Sequence, residues 1–117
     1  MIKDKEFRDD FEKLEVELYK QDPKLAELCF KDELQEYNKT SDIKYLMMQL
    51  RTMAKAFGWT NLEKKTGLRR STLYSILEGK KEPKLSSFIK ILGAFGFSMS
   101  FKKTKKLPLA KNKVKIA

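Results

Sequence analysis

Histidine is missing from this chain altogether, which removes the usual proton shuttle of enzyme sites and the commonest metal ligand. A single cysteine, Cys29, excludes an intramolecular disulfide. With Leu25, Leu28 and Phe30 around it, it reads as a buried apolar thiol. No stretch approaches the roughly 20 uninterrupted apolar residues that cross a bilayer, and MIKDKEFRDD at the start has no signal-peptide core. The cytoplasm is therefore the expected compartment, with no membrane partner. A phosphate-cradling GxxxxGK[ST] loop is also lacking. The acids Asp9, Asp10, Glu12, Glu15 and Glu17 follow the surface spacing of a helix rather than converging on a pocket, and Cys29 has no imidazole to activate it. Glu63 and Glu78 are the one pair that a metal-dependent nuclease could use near the basic part. Neither an enzyme nor a cofactor nor a metal site is expected.

Acidic residues are scarce in one part of the chain only. Residues 37–117 carry 19 Lys or Arg against 4 Asp or Glu, a net of +15, while residues 1–36 carry 7 against 12, a net of −5. The basic part sets up a field that attracts a polyanion, with duplex DNA or RNA the obvious candidate. Charge alone does not decide this, because abundant lysine also keeps surfaces soluble. At 117 residues the chain has the size of one domain, able to bury roughly two thirds of its unfolded surface around one core.

What is present is mostly helical periodicity. Phe7, Phe11, Leu14 and Leu18 recur at spacings of 4, 3 and 4 among charged residues, which predicts an amphipathic helix over about 5–20. Asp22 and Pro23 fit an N-cap followed by proline at the first helical position, opening a second helix to about Tyr37 that packs Leu25, Leu28, Cys29 and Leu34. NKTSD, residues 38–42, is a polar break and the expected hinge between an acidic segment, 1–40, and a basic domain, 41–103. A long helix then places Ile43, Leu46, Met47, Leu50, Met53 or Ala54, and Phe57 on one side, with Met47, Met48 and Met53 as core filling. Gly58 is positioned to stop it. NLEKKT is a short helix, Gly67 a turn, RSTLYSILE another helix, and LSSFIKILGAFG a last one with Leu85, Phe88, Ile89, Leu92 and Phe95 on a shared face. FSMSFKK alternates strictly, which predicts a short strand with Phe97, Met99 and Phe101 on one side. A lone strand leaves its amides and carbonyls unpaired, so its partner is a second copy, another protein, or the VKIA end of this chain. Residues 104–117 read as a basic flexible tail, either solubilising or adding phosphate contacts. The fold class is mostly all-α, with one short C-terminal strand that pairs between molecules.

The stretch EKKTGLRRSTLYSILEGKKEP concentrates the functional signal. Two short helices joined by a glycine turn are the layout in which the second helix enters the major groove. Leu62, Thr66, Leu68, Leu73 and Ile76 or Leu77 can face the core, leaving Arg69, Arg70, Ser71, Tyr74 and Ser75 outward. Arg69 and Arg70 can pair with guanine O6 and N7 or clamp phosphate, and Ser71, Tyr74 and Ser75 can bond phosphates or base edges. Lys64, Lys65, Lys80, Lys81 and Lys84 are candidates for phosphate contact. A helix pair of this kind also occurs in bundles that bind nothing, and the hydroxyls of Ser71 and Thr72 can equally serve as caps.

On GWTNLEKKTGLRRSTLYSILEGKKEPKLSSFIKILGAFGFSMSF the chain resembles the helix-turn-helix core of the lambda-repressor-like, or Xre-type, proteins, and in particular the HigA-like addiction module antidote branch. The resemblance covers residues 41–103 well and 5–40 more loosely. It implies a bacterial antitoxin that forms a homodimer, binds operator double-stranded DNA in its own operon, and neutralises a RelE/ParE-like toxin. Carried over position by position, Asn61 stands where the family often has a glutamine reaching phosphate, and Arg70, Ser71, Tyr74 and Ser75 take recognition-helix positions. Glu63 departs from the small alanine usual at the helix crossing, so either the helices open or its carboxylate turns outward. Arg69 replaces a capping serine with a positive donor. The toxin would be held by the acidic helices, through Phe7, Phe11, Leu14 and Leu18, or by the edge of the 97–103 strand. A stand-alone Xre-type regulator and a helical adaptor that binds protein only are the alternatives; the adaptor would leave promoter DNA unretarded at low salt.

Overall fold

A computed structural model describes residues 4–108. Within them lie six helices: α1 (Asp4–Gln21), α2 (Pro23–Thr40), α3 (Lys44–Phe57), α4 (Trp59–Thr66), α5 (Arg70–Leu77) and α6 (Leu85–Ala94). The all-α expectation and the number of helices hold. The helix boundaries follow local chemistry. Asp22 caps α2 by accepting the Leu25 amide at 3.3 Å, with Pro23 at the first position, whose missing amide costs nothing there. α2 runs on through Thr40, so the expected 38–42 break shrinks to 41–43. There Thr40 Oγ1 accepts the Asp42 amide at 3.1 Å and Asp42 Oδ1 accepts the Lys44 amide at 3.0 Å. Gly58 alone separates α3 from α4. Its amide donates to the Ala54 carbonyl and its own carbonyl accepts the Leu62 amide, at a φ of 99° that disfavours any side chain.

α3 is the shared support, packing against α1, α2, α4 and α5, while α6 packs on α4. Phe30, Leu50, Leu62, Leu73, Ile76 and Ile91 are fully buried, each contributing roughly 1.5–3 kcal/mol relative to exposure. After α6 the chain returns to α2, packing Phe97 against Phe30 with the rings tilted at 48° and 4.6 Å between centroids. Phe57 meets Phe95 edge-on at 5.7 Å.

Several faces differ from the periodic reading. In α1 the apolar stripe is not the packed one: Phe7, Phe11, Leu14 and Leu18 are 43–60% exposed, and Glu12, Glu15, Val16 and Tyr19 turn toward the rest of the molecule. Polar pairing decides this orientation. The Tyr19 hydroxyl is buried and accepts a hydrogen bond from Gln49 Nε2 at 3.0 Å, so the helix is anchored by a partner that hydrophobic spacing does not register. In α2, Leu28 points outward, and Ala26 and Phe30 form the core contact, with Leu25, Cys29 and Leu34 half-buried against it. Ile43, Leu85 and Ile89 are likewise exposed, and Ile91 is the fully buried residue of α6. Met53 fills the core. Met47 and Met48 are half-buried and line a groove of about 1120 Å³ together with Phe7, Phe11, Leu85 and Phe88.

No strand occurs among the described residues. The expected alternation at 97–103 is realised only as far as Met99. Phe97 and Met99 pack on the core between exposed Ser98 and Ser100, while Phe101 is 90% exposed. The VKIA end lies outside the described residues.

Candidate nucleic-acid interface

α4 and α5 are joined by residues 67–69. Gly67 takes the left-handed conformation that ends α4, with φ 72°, and Thr66 locks the turn from inside. Its buried Oγ1 donates to the Leu62 carbonyl at 2.7 Å and accepts the Leu68 amide at 3.1 Å. α5 is divided sharply. Leu73, Ile76 and Leu77 are buried, whereas Arg69, Arg70, Ser71 and Tyr74 are exposed and Ser75 is half-buried. Ser75 also closes the helix, its carbonyl accepting the amides of Lys80 and Lys81 at 2.9 and 3.0 Å. Arg69 sits at the N-cap without a capping side-chain bond, leaving its guanidinium uncommitted to the helix end.

Around this face the basic side chains are spread rather than focused. Lys64 and Lys65 are exposed at the end of α4, and Lys80, Lys81 and Lys84 are exposed in the loop after α5. Asn61 is exposed and donates to the Phe57 carbonyl at 3.1 Å. Glu63 turns outward: Arg70 Nε donates to its Oε1 at 2.7 Å, and Arg70 Nη2 donates to Thr60 Oγ1 at 2.7 Å. The Tyr74 ring stands edge-on to Trp59, 4.4 Å between centroids, which fixes its direction. The face therefore offers guanidinium, hydroxyl and ammonium donors on rigid backbone, a set suited to phosphates and base edges.

A second polar cluster ties this region to α1. Arg51 Nη2 and Nε donate to Glu12 Oε2 at 2.7 and 3.0 Å, Lys55 bonds the other Glu12 oxygen, and Arg51 Nη1 reaches Glu78 just past α5 at 3.3 Å. Burial pushes the Glu12 carboxyl up, but the hydrogen bonds and charges of Lys55 and Arg51 outweigh it and hold the group below its ordinary value. Glu15 moves the other way. Burial raises it, Tyr19 offsets this in part, and the Glu12 charge adds to the rise. Glu63 and Glu78 are each paired with an arginine, and no group of carboxylates or cysteine able to hold a metal occurs among the described residues.

A family model described as "Probable addiction module antidote protein" matches residues 25–103. The chain belongs to this family. No curated protein and no solved structure matches it. Membership of an antidote family, a regulatory kind of protein, implies a toxin partner. The matched part of the antidote takes in α3 to α6 and most of α2, and α1 with its outward apolar stripe lies before it. None of the antidote's described helices is long and apolar enough to cross a membrane.

Reading the sequence alone missed Thr60 and Trp59 beside the candidate face, and the cluster of Glu12, Arg51, Lys55 and Glu78. For Trp59 and Tyr74 a signal existed, two aromatics flanking a glycine turn. For Arg51 there was none, because its partners lie 39 and 27 residues away.

Proposed function

We propose that this antidote is the antitoxin of a type II toxin-antitoxin module that represses its own operon by binding operator DNA as a two-fold dimer. Arg70, Ser71, Tyr74 and Ser75 read bases, and Asn61, Lys64, Lys65, Arg69, Lys80, Lys81 and Lys84 hold phosphates, in the manner of the Xre-type, HigA-like helix-turn-helix proteins. The observation that carries the reading is the division of α5, whose inner face is buried while its outer face, with Arg69 at the N-cap, holds Arg70 and three hydroxyls in a part of the chain with a net charge of +15. The toxin, of the RelE/ParE-like kind, docks on α1. Phe7, Phe11, Leu14 and Leu18 give it an apolar contact, and the net charge of −5 over residues 1–36 complements a basic, nucleic-acid-directed protein. The dimer pairs the backbone of residues 97–103 with its copy, a reading supported by Phe97 and Met99, which keep their side chains on the core.

The test is a titration against the DNA directly upstream of its own gene, with an unrelated duplex as control, at two salt concentrations. Selective retardation of the upstream fragment, weakened by Arg70→Ala, is expected. Equal or absent retardation of both would sink the operator reading and favour the protein-only adaptor. An unrelated gene beside this one would remove the toxin and leave a stand-alone regulator.

A further inference from the structure

Arg70 is the first residue of α5, yet its side chain does not run outward along that helix. It folds back over the turn onto α4, where Glu63 takes Nε–H and Thr60 takes an Nη2–H. Both bonds lie on Nε and Nη2, the nitrogens that share the side edge of the guanidinium, and Nη1 makes no hydrogen bond among the described residues. The end edge, one N–H from each terminal nitrogen pointing in parallel, is one of the two donor pairs that fit guanine O6 and N7. The pair is half-exposed, 43% for Arg70 and 35% for Glu63, so it contributes little to folding. Its consequence lies instead in charge. With a carboxylate in contact, Arg70 presents no net charge to an approaching phosphate.

We infer that Glu63 is a specificity-determining residue: it orients the end edge of Arg70 for a two-acceptor base edge while cancelling the charge that would otherwise bind any duplex. The inference rests on the DNA-binding reading above. A lone phosphate gains from Arg70 mainly through charge and counterion release, which Glu63 removes. A guanine gains through two directional hydrogen bonds, which Glu63 leaves intact.

Glu63→Gln keeps an oxygen acceptor for Nε while deleting the charge, so it separates orientation from neutralisation. In binding titrations over a range of salt, this variant is expected to tighten the unrelated duplex by about three- to tenfold, with a salt slope steeper by about one. The upstream fragment should gain less, so the ratio of the two affinities falls. In an Arg70→Ala background the same change should give a markedly smaller gain on the unrelated duplex, because the carboxylate acts through Arg70. An unchanged affinity ratio, or an equal gain with and without Arg70, overturns the role of Glu63 while leaving the operator reading standing. Failure of the unaltered protein to retard either duplex at low salt overturns both.

Discussion

Tyr19 and Gln49 illustrate how much a single polar pair can set. Burial, with the Cys29 thiol nearby, pushes the Tyr19 hydroxyl above its ordinary value, so the ring stays neutral and its oxygen serves as an acceptor for Gln49. Tyr19→Phe strands the buried Gln49 amide and is expected to destabilise the fold by about 1–3 kcal/mol, read from the urea midpoint at constant slope. Glu12 and Glu15, one turn apart, respond oppositely to acid. Glu12 has a folded pKa below the ordinary glutamate value. Its stabilisation is complete above that value and is lost as the pH falls through the depressed one. Glu15, raised by burial, costs stability when ionised and stops doing so as the pH falls through its raised value. Thermal melts from pH 7 to pH 3 should therefore show a shallower acid decline for Glu12→Gln, and a higher melting temperature at pH 7 for Glu15→Gln. A lower melting temperature for Glu15→Gln would mean that its bond to Tyr19 outweighs the burial of charge.

At the scale of the elements, the two faces of α1 make separable predictions. Phe11→Ser together with Leu14→Ser alters exposed positions and should change stability by no more than about 0.5 kcal/mol each. The same pair should reduce co-purification with the neighbouring toxin; retained co-purification would move the toxin site elsewhere. The helices of residues 43–96 were legible because their signals are local. Gly58 and Gly67 end helices, and Leu62, Leu73, Ile76 and Leu77 recur at helical spacing and are buried as that spacing requires. The packed face of α1 was not legible. It is set by Glu12 and Tyr19 through partners 30–43 residues away, and no periodicity carries that information. The outward set on α5 could be read from the same spacing, but the retention of Arg70 by Glu63, seven residues earlier across a turn, could not. The strand expected at 97–103 is not formed among the described residues: alternation put Phe97 and Met99 inward as observed but also Phe101, which is exposed, and pairing is a property of whatever lies alongside.

For the whole molecule, the separation of charge makes salt the most informative variable. If Lys80 and Lys81 each neutralise one phosphate, replacing both with alanine lowers the salt slope by about two and weakens upstream and unrelated duplexes alike. A loss confined to the upstream fragment would place these lysines among the base readers instead. The support given by α3 has a further consequence, in the order of synthesis. Tyr19 and Phe30, on helices made before α3 to α6, are covered by Gln49 and by Phe97, which are added 30 and 67 residues later. The inner face of α1 thus waits for α3, while Phe30 on α2 waits for the chain beyond α6, so a core residue made early is among the last to be covered.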